Sequence, residues 1–254
     1  MFYKFLAILS FVNFAIANSI PVQISNRIIE GNVTTISTAP YQVVLEYKGQ
    51  TICGGSLITP TCVLTAAHCF NVMFPYKISI RGGMSKLSDK SINQQMKQIY
   101  KHENFNEITY DNDIAFIKLS GQLLGKNIKT IKLSNSTVKV GQEVRVTGFG
   151  YTEEDALDVS DLLREVKVNV VSSEECHKAY EGQNNITEAM MCAKGKGNRK
   201  DACTGDSGGP VVVNNTLVGV VSYGIGCGRP EYPGVYAKVK FLRPFIDRIV
   251  SKYC

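Results

Sequence analysis

Apolar side chains recur along this chain in short runs. Eight runs, 41–47, 77–81, 114–119, 143–148, 163–171, 210–213, 217–222 and 234–239, are rich in β-forming residues, and Gly, Asn, Asp or Ser clusters separate many of them. Short runs with turn chemistry between them predict an all-β chain, either a sandwich or barrels. Asn214-Asn215, between two such runs, predicts a hairpin turn. The period changes at the C-terminus. Phe245, Ile246, Ile249, Val250 and Tyr253 fall on one helical face, and Pro244 suits the first helical position. A helix is therefore expected over about 243–253. The polar segment 121–132 is expected to connect two halves, and no repeat of 20–50 residues is visible.

The front of the chain follows another pattern. Lys4 supplies a short positive region, residues 5–17 are mostly apolar, and Ala15-Ile16-Ala17 is an A-x-A cleavage signal. This predicts a secretory signal peptide over 1–17. Thirteen residues broken by Ser10 and Asn13 are too few to cross ~30 Å of hydrocarbon. No later stretch reaches ~18 apolar residues. The expected product is secreted and extracellular, with no membrane association.

Composition sharpens this picture in two places. Hydrophobic residues make up 44% and the net charge is only +6, so the chain can build a core and is not disordered. The eight cysteines, Cys53, Cys62, Cys69, Cys176, Cys192, Cys203, Cys227 and Cys254, are an even number in an exported chain, which implies disulfides. No C-x2-C pair exists, so zinc ligation is disfavoured. Spacing alone leaves the connectivity open. Asn32, Asn135, Asn185 and Asn214 head Asn-x-Ser/Thr sequons and are glycosylation candidates, although each also fits a polar turn.

Three separated motifs carry chemistry: Leu64-Thr-Ala-Ala-His68-Cys69, Asp111-Asn-Asp113-Ile-Ala and Gly205-Asp-Ser207-Gly-Gly-Pro210. An alcohol is a weak nucleophile at neutral pH. It needs a base within hydrogen-bond reach, and the base needs an orienting group. His68, Asp113 and Ser207 supply all three in the chain order His, Asp, Ser. Alone, each has a bland reading as a surface histidine, a turn aspartate or a loop serine.

On these motifs the chain resembles the chymotrypsin-like serine peptidases, and within them the trypsins, from Arg27 to the terminal helix. The resemblance implies two six-stranded antiparallel β-barrels and a C-terminal helix. The first barrel would span about 28–128, the second about 129–242, and the cleft would lie between them. His68 would be the base, Asp113 its orienting partner and Ser207 the nucleophile, with the backbone N–H groups of Gly205 and Ser207 as the oxyanion hole. Arg27-Ile28-Ile29-Glu30-Gly31 resembles an activation site. Residues 18–27 would then be a propeptide, 28–254 the peptidase domain, and the freed Ile28 ammonium would pair with Asp206. Asp201 would lie at the base of the substrate pocket and favour Arg or Lys, with Gly224 and Gly234 as its open walls. Ala202 stands where many trypsins carry Ser, which implies a preference for Arg over Lys.

The same resemblance implies the bridges Cys53–Cys69, Cys176–Cys192 and Cys203–Cys227. It leaves Cys62 and Cys254, either bridged to tie the helix to the first barrel or unpaired, with Cys254 free to meet another chain. Phe149, Tyr223 and Phe245 stand where the family usually has Trp, and Tyr223 would flank the cleft. The family's calcium loop needs clustered acids. Residues 82–97 offer only Asp89, so no metal and no cofactor are expected. Glu153, Glu154, Asp155, Asp158 and Asp161 form an acidic segment that offers no Arg or Lys from 151 to 163 and would resist self-cleavage. Lys194, Lys196, Arg199 and Lys200 form a basic one that could be a self-cut site; both also fit solvated faces.

The implied activity is a trypsin-like serine endopeptidase made as a zymogen and acting as a monomer. Its partners would be protein or peptide substrates and protein protease inhibitors. A catalytically silent homologue serving as a binding module is the alternative, but no member of the Ser, His, Asp set is missing. A basic binder of nucleic acid or heparin-like polymers is a third reading. The spread positive charge and the lack of a base-reading motif argue against it, so no nucleic-acid partner is expected.

Overall fold

The structure, a computed structural model, describes residues 31–71, 77–152, 158–196, 201–203 and 205–254. The expected signal peptide, propeptide, Arg27, Ile28, Glu153, Glu154, Asp155, Arg199 and Lys200 lie outside them.

Two closed six-stranded antiparallel barrels account for most of the described chain. The first is built from β2 (Gln42–Tyr47), β3 (Gln50–Thr59), β4 (Cys62–Thr65), β5 (Ile78–Gly82), β6 (Ile92–Lys101) and β7 (Ala115–Leu119), closed in the order β2-β3-β4-β7-β6-β5. The second uses β9 (Glu143–Gly148), β10 (Arg164–Val170), β11 (Met190–Lys194), β12 (Pro210–Val213), β13 (Thr216–Tyr223) and β14 (Gly234–Lys238). Its ring runs β10-β11-β14-β13-β12-β9 and closes through β9–β10 pairing. Two short strands are appended, β1 (Asn32–Val33) on β10 and β8 (Lys132–Leu133) parallel to β13. Among the described residues closure leaves no long exposed strand edge, the feature that makes open sheets prone to edge pairing.

Each interior is filled by alternate side chains. Val144, Val146, Val166, Val168, Val211 and Val221 form one face of the second core. Val43, Leu45, Leu57, Val63, Ile80 and Ile117 do so in the first. The Asn214-Asn215 turn joins β12 to β13 with both residues at positive φ, 48° and 57°. That geometry matches the strand twist and is tolerated by Asn.

Strands β3, β4 and β11 fall outside the expected runs, and three more elements differ from expectation. The terminal helix α2 spans Val239–Tyr253, so it starts at Val239 rather than about 243, and Pro244 lies inside it. Proline cannot donate to the carbonyl four residues back. That residue, Lys240, is exposed, so water can take the place of the missing donor. A second helix, α1 (Ser173–Ala179), is capped by Ser172, whose Oγ accepts the Glu175 N–H at 3.0 Å. Strand β6 carries a polar sequence with Met96 as its one buried residue, because only one of its faces meets the core.

All eight cysteines are bridged, as Cys53–Cys69, Cys62–Cys254, Cys176–Cys192 and Cys203–Cys227. The Cys62–Cys254 bond resolves the alternative left open by sequence. Helix α2 shares the first barrel's core through Leu242, Phe245, Ile246 and Ile249. It is also held by Tyr253 stacked on Tyr100 at 4.3 Å and by Arg248 paired with Glu103.

Candidate active site

His68 opens a short 3₁₀ turn after β4, and its position is set by neighbours on three sides. The Cys53–Cys69 bridge ties the next residue to β3. Asp113 Oδ1 accepts the His68 backbone N–H at 2.9 Å, and Oδ2 lies 2.7 Å from Nδ1. With Nδ1 donating, Nε2 is left unprotonated and able to accept a proton. The Asp113 side chain is fully buried, whereas that of His68 is 16% exposed. Ser222 Oγ donates to Asp113 Oδ2 at 2.5 Å. The buried carboxylate therefore has three donors, which offset the cost of its desolvation.

Ser207 comes from the loop before β12. Its carbonyl accepts the Gly54 N–H at 2.7 Å, and the flanking turn is closed by Gly209 N–H donating to Asp206 O at 2.8 Å. Cys53 and Gly54 are consecutive, so one short stretch of β3 secures both the histidine turn and the serine loop. Gly205 adopts φ 93°, a conformation costly for any residue with a Cβ. His68 and Ser207 line one cavity of about 230 Å³, together with Asp201, Ala202, Tyr223, Gly224 and Gly234.

Asp201 is buried in that cavity. It accepts N–H bonds from Ala202 at 2.8 Å and Gly228 at 3.2 Å, and the Tyr236 hydroxyl lies at 3.5 Å. Burial pushes its carboxyl up to about 7, against these bonds. A Cβ on Gly234 would stand 2.8 Å from the Asp201 carboxylate and from the Tyr236 hydroxyl, so only glycine leaves the pocket wall open. Asp206 is completely buried. It accepts the N–H groups of Gly150 at 2.8 Å and Cys203 at 3.0 Å, and burial raises its carboxyl to about 6.

The structure thus brings His68, Asp113, Ser207, Asp201, Ala202, Gly224, Gly234 and Tyr223 to one cleft, with Gly205 and Asp206 in the serine loop. The sequence reading missed Ser222, Tyr110, Asn184 and Thr187. Ser222 ends an apolar strand run, and nothing in its local pattern marks it as a partner of Asp113. The ring of Tyr110 lies 5.2 Å from that of His68 and lines the cavity.

Other expected sites fall at the surface. Asn32, Asn135, Asn185 and Asn214 are all exposed. Asp89 accepts N–H bonds from Ser85 and Lys86 within its own loop. In the same loop Arg81 donates to the carbonyls of Leu87 at 2.8 Å and Asp89 at 3.3 Å, so a guanidinium serves these oxygens. Asp161 accepts from Ser88, and Lys194 pairs with Glu175, so both charged segments are partly tied to their surroundings. Cys53, His68 and Cys69 cluster closely, but both sulfurs are consumed by their bridge and offer no thiolate to a metal. No described helix is long and apolar enough to cross a membrane.

Comparison with known proteins gives the family. Residues 28–246 match the family model described as Trypsin. Seminase of Drosophila melanogaster is 41% identical over 229 residues, 89% of this chain and 83% of that protein. Trypsin beta of Drosophila erecta is 40% identical over 249 residues, 96% of this chain and 98% of its own. Neuropsin, a serine protease expressed in the limbic system of mouse brain, superposes with a TM-score of 0.80 at 35% identity, covering 87% of this chain and 99% of that one. Two closed barrels, a buried carboxylate on a histidine beside a serine, and matches spanning most of the chain lead to one conclusion: this protein belongs to the trypsin family and is a chymotrypsin-like serine endopeptidase.

Proposed function

We propose that the chain is secreted as a zymogen, is activated by cleavage after Arg27, and then hydrolyses peptide bonds after Arg and, less readily, Lys. The observation that carries the specificity is Asp201, a buried carboxylate in the same cavity as His68 and Ser207. A long cationic side chain entering past Gly224 and Gly234 would meet it in a low-dielectric site, where a charge-assisted bond is strong.

In the proposed reaction Ser207 Oγ attacks the scissile carbonyl carbon while its proton passes to His68 Nε2. The carbonyl oxygen becomes an oxyanion, received by the N–H groups of Gly205 and Ser207. Collapse breaks the C–N bond, and His68 gives the proton to the leaving amine. Water then attacks the acyl-enzyme with His68 again as base, releasing the acid and restoring Ser207. Asp113 holds the imidazole tautomer and stabilises the imidazolium; this scheme is the one general to the triad. Asp206 is served by two backbone amides. The new Ile28 ammonium would replace neutral donors with a charge, favouring an ordered serine loop. Protein substrates and protein inhibitors are the partners this cleft suits, and the enzyme would act as a monomer.

Position 202 offers no hydroxyl. A lysine ammonium loses a compact acceptor there, whereas an arginine fork still spans Asp201. On the activated enzyme, kcat/KM for arginyl over lysyl substrates should exceed about fivefold. A lysyl or aromatic preference would overturn the assignment.

The raised carboxyl of Asp201 gives a second test. Below about pH 7 the empty pocket holds a proton that a bound cation must expel. Affinity for benzamidine should therefore strengthen as pH rises toward about 7 and level off above it, with proton release on binding detectable by calorimetry in two buffers. An affinity that is flat from pH 5 to 8 would refute the coupling.

A further inference from the structure

The loop that delivers Asp113 contains two residues at positive φ. Tyr110 and Asn112 both lie in the left-handed region, with φ 56° and 53°. Asparagine tolerates this region, but a tyrosine persists there only where the surroundings over-determine it. The loop's own bonds contribute: Tyr110 N–H donates to Asn106 O at 2.8 Å and Asn106 N–H to Asp111 O at 3.0 Å. Asn106 Oδ1 also accepts the N–H groups of Ile108 and Thr109, Asn112 N–H donates to Asp111 Oδ1, and the Phe105 ring lies edge-on to Tyr110. Further restraints come from the other barrel.

They bracket Tyr110 on both sides. Asn184 Nδ2 donates to Thr109 O at 2.9 Å, and Thr187 Oγ1 donates to Asp111 Oδ1 at 2.5 Å. Asn184 Nδ2 also donates to the Tyr223 hydroxyl at 2.7 Å, so its two hydrogens serve one acceptor on each barrel. The Tyr223 hydroxyl lies 3.6 Å from Met190 Sδ. Burial raises the Tyr223 phenol to about 12, so it stays neutral and able to accept. A row of rings connects these bonds to the base: Tyr180 to Tyr223 at 5.8 Å, Tyr223 to Tyr110 at 5.5 Å, and Tyr110 to His68 at 5.2 Å. Tyr180 is fully buried, and its hydroxyl is fixed on Pro233 O at 2.8 Å, so the row has a rigid end.

We propose that Asn184, seconded by Thr187, is a positioning residue for the peptidase reaction: its amide clasps the Asp113 loop of the first barrel to the Tyr223 hydroxyl of the second, and thereby sets the place of Tyr110 against the His68 imidazole. The clasp depends on the hydroxyl of Tyr223, at a position where the resemblance leads one to expect Trp. It rests on the peptidase reading above.

The test uses the activated full-length enzyme and a single-residue arginyl ester, which has no residue to occupy the cleft beyond the P1 pocket. Asn184→Leu should lower kcat about tenfold and shift the acidic limb of the pH–rate profile, with benzamidine affinity unchanged. Tyr223→Phe, which keeps the ring, should give a smaller loss in the same direction. The double variant should be no worse than Asn184→Leu alone, because both changes open one clasp. Should Asn184→Leu fail to fold, Asn184→Asp keeps the shape, removes the donor to Thr109 O and should show a loss in the same direction. A kcat within twofold of wild type in these variants, with only thermal stability lowered or only KM for long peptides raised, would overturn the proposal. Ser207→Ala assayed alongside separates the two claims: if it stays active the peptidase reading has failed, and if it is inactive while the Asn184 variants are normal, only the clasp has.

Discussion

Ser207→Ala should reduce kcat by about 10⁶ while leaving benzamidine affinity at its wild-type value. The size follows from what the side chain does. Without Oγ no acyl-enzyme forms, and His68 and Asp113 are left with nothing to activate. The remaining rate over that in water, about 10³–10⁴, would come from oxyanion stabilisation and substrate placement. Ser207 sits in a loop held by backbone bonds to Gly54 and across Asp206–Gly209, not by its hydroxyl, so the fold should be unaffected. Single-turnover kinetics on an arginyl ester, together with labelling by a serine-directed phosphonate, measure this. Retained hydrolysis within a hundredfold of wild type, or labelling at another residue, would remove Ser207 from the mechanism.

Asp113→Asn should cost about 10⁴ in kcat at neutral pH, the loss characteristic of this triad. Asp113 takes three donors: the His68 backbone N–H, its Nδ1–H and the Ser222 hydroxyl. An asparagine fills the same space but brings a donor of its own. With its oxygen retained by the backbone N–H, its NH₂ faces Nδ1, which must become the acceptor. The ring proton then moves to Nε2, and the imidazole can no longer take a proton from Ser207. Nitrogen chemical shifts of the imidazole should report the changed tautomer in parallel with the lost rate. A loss below tenfold, or an unchanged tautomer, would count against the geometry's role.

The chemistry was more legible than the architecture that holds it. His68, Asp113 and Ser207 each sit in a local motif, so their meeting could be expected from the chain. Strands β9 and β12 match their apolar runs because both are buried and β-branched. Strand β6 was missed because its Asn, Gln and Lys residues face water along most of its length, and pairing rather than composition makes it a strand. Strand β3 was missed because Gly54-Gly55 suggests a turn. In the barrel, Gly54 approaches Gly209 closely, and a Cβ on Gly55 would strike Val63. Ser222, Asn184 and Thr187 act across sequence separations of 109, 75 and 76 residues, and no local pattern encodes contacts that distant. Helix α1 is a different case: Ser172 followed by Glu175 is a legible start signal, but the seven-residue helix is too short to show a period.

The bond from Cys62 to Cys254 encloses 192 residues of sequence separation, and the basic segment around Lys194, Lys196, Arg199 and Lys200 lies within that span. The bridges Cys53–Cys69 and Cys176–Cys192 lie wholly before Arg199, and Cys203–Cys227 wholly after it. A cut at Arg199 would therefore leave two polypeptides joined through Cys62 and Cys254 alone. A nicked molecule would migrate as one species on a gel without reductant and as two with it, and the severed tail could not diffuse away from the body that carries His68.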